Sequence, residues 1–142
     1  MALHSTKEVL QYLAALVVGT GIPACKIGVP ASLSNVMSAF VTVGPQPYSG
    51  HTNHTYNRTP RFTIILGYMV IGSEETAELA IADAIDNITG ALLADRTFGG
   101  LVQSVEWDTA TGDSPEYRVY AGREFRLYPI VVQVKWTEQY GD

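Results

Sequence analysis

FTIILGYMVIGSEETAELAIADAIDNITGALLAD, residues 62–95, decides the fold. Its opening alternates: Phe62, Ile64, Leu66, Tyr68 and Val70 lie on one side, with Thr63, Ile65, Gly67, Met69 and Ile71 on the other. A period of two is a strand. Both faces are largely apolar, so this strand is either central and covered on both sides or exposed to a neighbouring subunit. After Gly72 the period changes. Ala77, Ile81, Ala84, Ile85, Ile88 and Leu92 recur at helical steps, which predicts a helix over Ser73 to Asp95 with that stripe buried. Ser73 is its N-cap, and Glu74, Glu75 and Glu78 sit at the positive end of the helix dipole. Gly90 costs about 1 kcal/mol against alanine in a helix interior and marks either a close approach or early fraying.

Working outward, Phe98-Gly99-Gly100 stops this helix, and strands are expected over Leu101 to Trp107 and Leu127 to Trp136. A polar loop, Thr109 to Pro115, lies between them, followed by further strand at Glu116 to Tyr120 and a turn at Ala121-Gly122. Pro129 cannot donate a ladder bond, which predicts an edge or bulge there. Upstream, Ser5-Thr6-Lys7-Glu8 is a capping box. Val9, Tyr12, Leu13, Leu16 and Val17 form the stripe of a helix over Thr6 to Val18, ended by Gly19, Gly21 and Pro23. Residues 22–35 read as irregular. A strand over Ser38 to Val43 ends at Gly44-Pro45-Gln46-Pro47, and PQPYSGHTNHTYNRTP, residues 45–60, is a long polar loop. Loops of that size are surface excursions or partner-binding arms. The expected fold is α+β in the order α-β-β-α-β-β. It is a four-stranded, mainly antiparallel sheet with two helices on one face, in a single domain over residues 1–142.

The chain of 142 residues is 46% hydrophobic and 16% charged, with net charge −5. That charge fraction is below the ~25% of ordinary soluble domains, as on a surface that partners cover. The acidic balance argues against a DNA-gripping surface, because phosphate neutralisation needs clustered Lys and Arg. One cysteine, Cys25, excludes an intrachain disulfide and points to synthesis in a reducing compartment. Leu13 to Val18 and Ile22-Pro23-Ala24-Cys25 faintly suggest a lipoprotein signal, but the helical periodicity and Pro23 argue against cleavage. No apolar stretch reaches the ~18 residues of a membrane span.

Chemistry is sparse. His51 and His54 have metal-ligand spacing but lie in the polar loop without a third ligand, so no metal is assigned. Gly19-Thr20-Gly21 trails a helix and lacks the Lys-Ser/Thr of a phosphate loop. The carboxylates Glu74, Glu75, Glu78, Asp83 and Asp86 read as a solvated or partner-facing helix surface. No catalytic residue and no cofactor are expected, and the chain is not read as an enzyme. Tyr and Trp gather near the C-terminal hairpin; Trp107 and Trp136 suit the core, whereas Tyr117, Tyr120 and Tyr140 suit an interface. The candidate contact residues are Tyr48, His51, Tyr56 and Arg58 in the long loop, with Tyr117, Tyr120 and Arg123 at the hairpin.

LLADRTFGGLVQSVEW (92–107) and EYRVYAGREFRLYPIVVQVKW (116–136), with the element order over about residues 39–138, resemble the tail terminator (tail completion) family of long non-contractile-tailed phages, the phage lambda type. The resemblance implies a homo-oligomer, a hexameric ring at the head-proximal end of the tail. Such a ring ends polymerisation of the tail tube protein and meets the neck or head-completion protein. DNA passes through its lumen without sequence-specific binding. The implied location is the virion, after synthesis in the host cytoplasm, with no membrane involved. Another neck or head-completion ring protein is the first alternative, and a bacterial lipoprotein or ligand-binding module the second.

Overall fold

The computed structural model describes residues 6–30, 36–44, 48–50, 55–109, 116–120 and 122–139. Among these residues lie two helices, α1 (Thr6–Gly19) and α2 (Glu74–Ala94). Eight strands accompany them: β1 (Cys25–Ile27), β2 (Met37–Val43), β3 (Tyr48–Gly50), β4 (Thr55–Arg58), β5 (Arg61–Met69), β6 (Ser104–Thr109), β7 (Glu116–Tyr120) and β8 (Arg123–Gln139). The class is α+β. The four-stranded expectation is corrected to a larger sheet, with strand order β1-β2-β5-β8-β4-β3 and with β6 and β7 also paired to β8. Among the described strands only β1 and β2 run parallel.

The additional strands extend the expected ones. Arg58 pairs with Trp136 and Arg61 with Gln133, three residues on in each strand, so β4 and β5 keep one register along β8. Pro60 separates them. It has no N–H to give Val134, although its carbonyl accepts from Val134 N at 3.1 Å. Across β4, β3 continues the line of β2 with one extra residue, because Val43 pairs with Phe62 and Tyr48 with Arg58. Residues 48–50 and 55–58 are therefore strands, which corrects the reading of 45–60 as one loop. Residues 22–35 likewise include β1.

The 17-residue β8 organises the sheet. Its even-numbered residues turn their backbone groups toward β5, as Val134 N does to Pro60. Its odd-numbered residues therefore face β6 and β7. The β6 ladder ends at Ile130 and the β7 ladder begins at Leu127. Pro129 falls in that gap. It lies inside the central strand, aligned with Ile65, which corrects the edge or bulge expectation; among the described residues its missing N–H faces no ladder partner.

Both helices pack on one face. Val9, Leu13 and Val17 of α1 and Ala77, Ile81, Ala84, Ile88 and Leu92 of α2 are buried in one cluster with Ala39, Val41, Phe62, Ile64, Leu66, Ile130, Val132, Val134 and Trp136. Each fully buried large side chain contributes about 1.5–3 kcal/mol. The opposite face, here the open face, has its own small cluster of Phe40, Met69, Phe125 and Leu127, with Ile65 packed against it. Both faces of β5 are thus partly covered from within the chain.

Candidate interaction surfaces

The sheet carries six of the seven candidate contact residues to its two ends. Tyr48, Tyr56 and Arg58 lie in an arm built of β3, β4 and the last residues of β8: Tyr48 pairs with Arg58, Tyr56 with Gly50 and Glu138, and Arg58 with Trp136. Among the described residues the main sheet contacts of the helices are with β1, β2, β5 and β8, and none as extensive is made with β3 or β4. An isolated two-stranded ribbon is marginal in water, and the third strand from β8 anchors this one. His51 lies outside the described residues.

Tyr117, Tyr120 and Arg123 lie at the other end, in the β7–β8 hairpin. Tyr120 pairs with Arg123 across a turn in which Gly122 adopts φ 79°. Ten residues of β8 separate Arg126 from Trp136, roughly 34 Å at strand rise. The structure does not bring the two groups together.

The hairpin is bolted to α2. Arg126 is nearly buried, and its Nε donates to Glu78 Oε1 at 2.5 Å. The guanidinium also donates to the Leu127 carbonyl, and it lies 5.8 Å from the Tyr117 ring and 5.7 Å from the Tyr128 ring. Tyr117 Oη donates to Glu78 at 3.3 Å. The Arg126 bond holds the Glu78 carboxyl below its ordinary value. Burial, with Glu74 and Glu78 nearby, raises the Tyr117 hydroxyl. Tyr117 is therefore half-committed within its own chain. Arg123 reaches the open face, where Nη1 approaches Met69 Sδ at 3.4 Å.

A third cluster was not singled out from sequence. Asp95 caps the end of α2, accepting from Gly99 N at 2.9 Å and from the Tyr12 hydroxyl of α1. The Tyr12 ring stacks on Phe98 at 4.8 Å. Phe98, Gly99 and Gly100 all take positive φ, 50°, 67° and 93°. Only Phe98 among them carries a Cβ, and it is 1% exposed. The sequence signal was the helix stop itself; the partner, Tyr12, is 83 residues away from Asp95. Next to this corner, Arg96 donates to the Val105 carbonyl at 3.0 Å and lies over the Trp107 ring. Trp136 is core as expected, whereas Trp107 is half-buried beneath that guanidinium.

Two recesses lie among the described residues. One of about 230 Å³ on the open face is lined by Thr59, Ser104, Glu106, Gln133 and Lys135. Another of about 180 Å³ lies between the end of α1 and α2, beside Thr20, Met37, Asp83 and Asn87. Among the described residues no group of three or more His, Cys, Asp or Glu is placed to hold a metal, and the His51/His54 pair lies outside them. Among the described residues, no helix is long and apolar enough to cross a membrane. No protein-family model matches the sequence, and a search of curated proteins gives no match.

Proposed function

We propose that this chain is a structural assembly protein of the phage tail-terminator kind. Copies form a ring, hexameric in that family, at the head-proximal end of the tail tube. The ring stops tube growth, meets the neck or head-completion protein and lets DNA pass through its lumen without reading its sequence. In this reading the protein is no enzyme, uses no cofactor or metal, and is located in the virion after synthesis in the host cytoplasm.

The observation that carries the reading is the arm. β4 and β3 extend the sheet past β5 along β8, away from the main helix contacts, and end it in a strand edge that a neighbour could pair with. The quoted stretches at 92–107 and 116–136 support it: they form the helix stop, β6 and the β7–β8 hairpin, the segments on which the resemblance rests.

Electron microscopy of tail tubes assembled with and without the protein tests the proposal. Tubes of uniform length, each bearing an extra ring at its head-facing end, are expected. Tubes of uncontrolled length without a ring would reject it.

A further inference from the structure

Charge is unevenly divided between the two faces of this molecule. Strand alternation places Lys26 of β1, Arg61 of β5, Arg118 of β7, and Arg123 and Lys135 of β8 on the open face, and all five are exposed. They are five of the chain's nine Lys and Arg. The same alternation places three carboxylates on that face, Glu106, Asp108 and Glu116, so cations outnumber carboxylates there by five to three. Between the basic residues the face is apolar and half-buried at Ile65, Pro129 and Val131.

The opposite side of the molecule is the outer surface of α2. This helix has five carboxylates and no Lys or Arg. Glu75, Leu79, Ala82, Asp86, Gly90 and Leu93 recur at three- and four-residue steps on the side away from the buried stripe, and all are exposed. Leu79 and Leu93 are 65% and 62% exposed. A second stripe combining leucine with carboxylate is not needed to hold the helix on its own sheet. Alanine at 82 and glycine at 90 leave that stripe low enough for close approach; a Cβ at Gly90 would meet nothing within 4 Å.

We infer that the open sheet face of one copy docks on the outer face of α2 of the next. The two surfaces are opposite in sign of charge and alike in carrying an apolar centre and in length. The helix spans about 31 Å, and the open face from Phe125 to Lys135 about 34 Å. A contact between two different faces is head-to-tail and closes into a ring when the rotation allows. The inference rests on the ring-forming reading and names its contact. Nucleic acid is the weaker occupant of the basic face: the net charge is −5, and phosphates would leave Leu79 and Leu93 of α2 uncovered.

Sedimentation velocity of the full chain tests this over a concentration series at about 0.05 M and about 0.5 M salt. Association that grows with concentration and weakens with salt is expected. Arg61→Glu with Lys135→Glu on the sheet, or Asp83→Lys with Asp86→Lys on the helix, should each weaken it on the order of ten- to a hundred-fold. Mixing the two variants should restore it, because every contact in the mixture again pairs opposite charges. These side chains are exposed, and circular dichroism verifies folding; Arg61→Gln and Asp86→Asn serve as milder replacements. A wild-type chain that stays monomeric throughout, variants that associate like wild type, or a mixture that fails to associate would overturn the inference. So would binding to a duplex DNA oligonucleotide that Arg61→Glu with Lys135→Glu abolishes while self-association is unchanged. Tube capping that survives both reversals would reject this contact and leave the terminator reading standing; salt-sensitive association without capping would do the reverse.

Discussion

Phe98 holds a conformation that costs an L-residue about 1–2 kcal/mol, and it does so with its ring buried on Tyr12. Packing and backbone therefore oppose each other at this position. Phe98→Ala should destabilise the chain by about 3–5 kcal/mol, as loss of a buried aromatic does. Phe98→Gly should recover about 1 kcal/mol of that loss by removing the Cβ. Urea unfolding of both variants checks the order; an alanine variant more stable than the glycine variant would contradict it. Cys25 illustrates another residue-level effect. Burial beside the core pushes its thiol up to about 11. Alkylation by iodoacetamide at pH 8 should run roughly a hundred-fold slower than for a free cysteine, and recover in urea. Fast labelling of the folded chain would rule this out.

The second helix is the element the sequence described best. Its expected limits, Ser73 and Asp95, are its caps: Ser73 Oγ accepts from Thr76 N at 3.3 Å, and Asp95 N donates to the Ala91 carbonyl. Gly90 lies in an exposed helix interior with open space around it, so Gly90→Ala should stabilise the monomer by about 1 kcal/mol, read as a rise in Tm. The link between this helix and the hairpin should depend on pH. Arg126 depresses the folded-state value of Glu78, so its contribution is present above the unfolded carboxyl value, about 4.3, and is lost as pH falls through the lower folded value. Wild type and Glu78→Gln should thus differ in urea midpoint at pH 7 and converge near pH 2–3. A gap that persists in acid would exclude the ion pair as its source. Helix limits were legible because caps are local and one stripe is apolar. The arm was not legible: Tyr48-Ser49-Gly50 and Thr55-Tyr56-Asn57-Arg58 have no apolar alternation; the first pairs with the second, and the second takes its partner from β8, about eighty residues downstream. Likewise β1 is three residues long, and its ladder is supplied by β2. Pro129 misled for a related reason, since no local rule says which neighbour a given backbone N–H faces.

At the scale of the whole molecule, protection should follow coverage. Amide hydrogen exchange should be slowest in β5 and the middle of β8, where clusters on both faces bury the sheet, and should quicken along the same strands into β4 and residues 136–139. Uniform protection from Thr55 to Met69 would mean that the arm is as strongly held as the core. The candidate residues were recoverable from sequence as aromatic and basic positions, but their separation to opposite ends of the sheet was not, because it is set by the length of β8. That length has a further effect on biogenesis. β4, β5, β6 and β7 each bond to β8, the last of these strands to leave the ribosome. Until it emerges, the β5 edge that β8 will occupy stays bare, and β6 and β7 lack their ladder. A nascent chain halted before residue 123 therefore displays unpaired strand edges, the kind of surface that invites aggregation, and the sheet can close only once β8 is made.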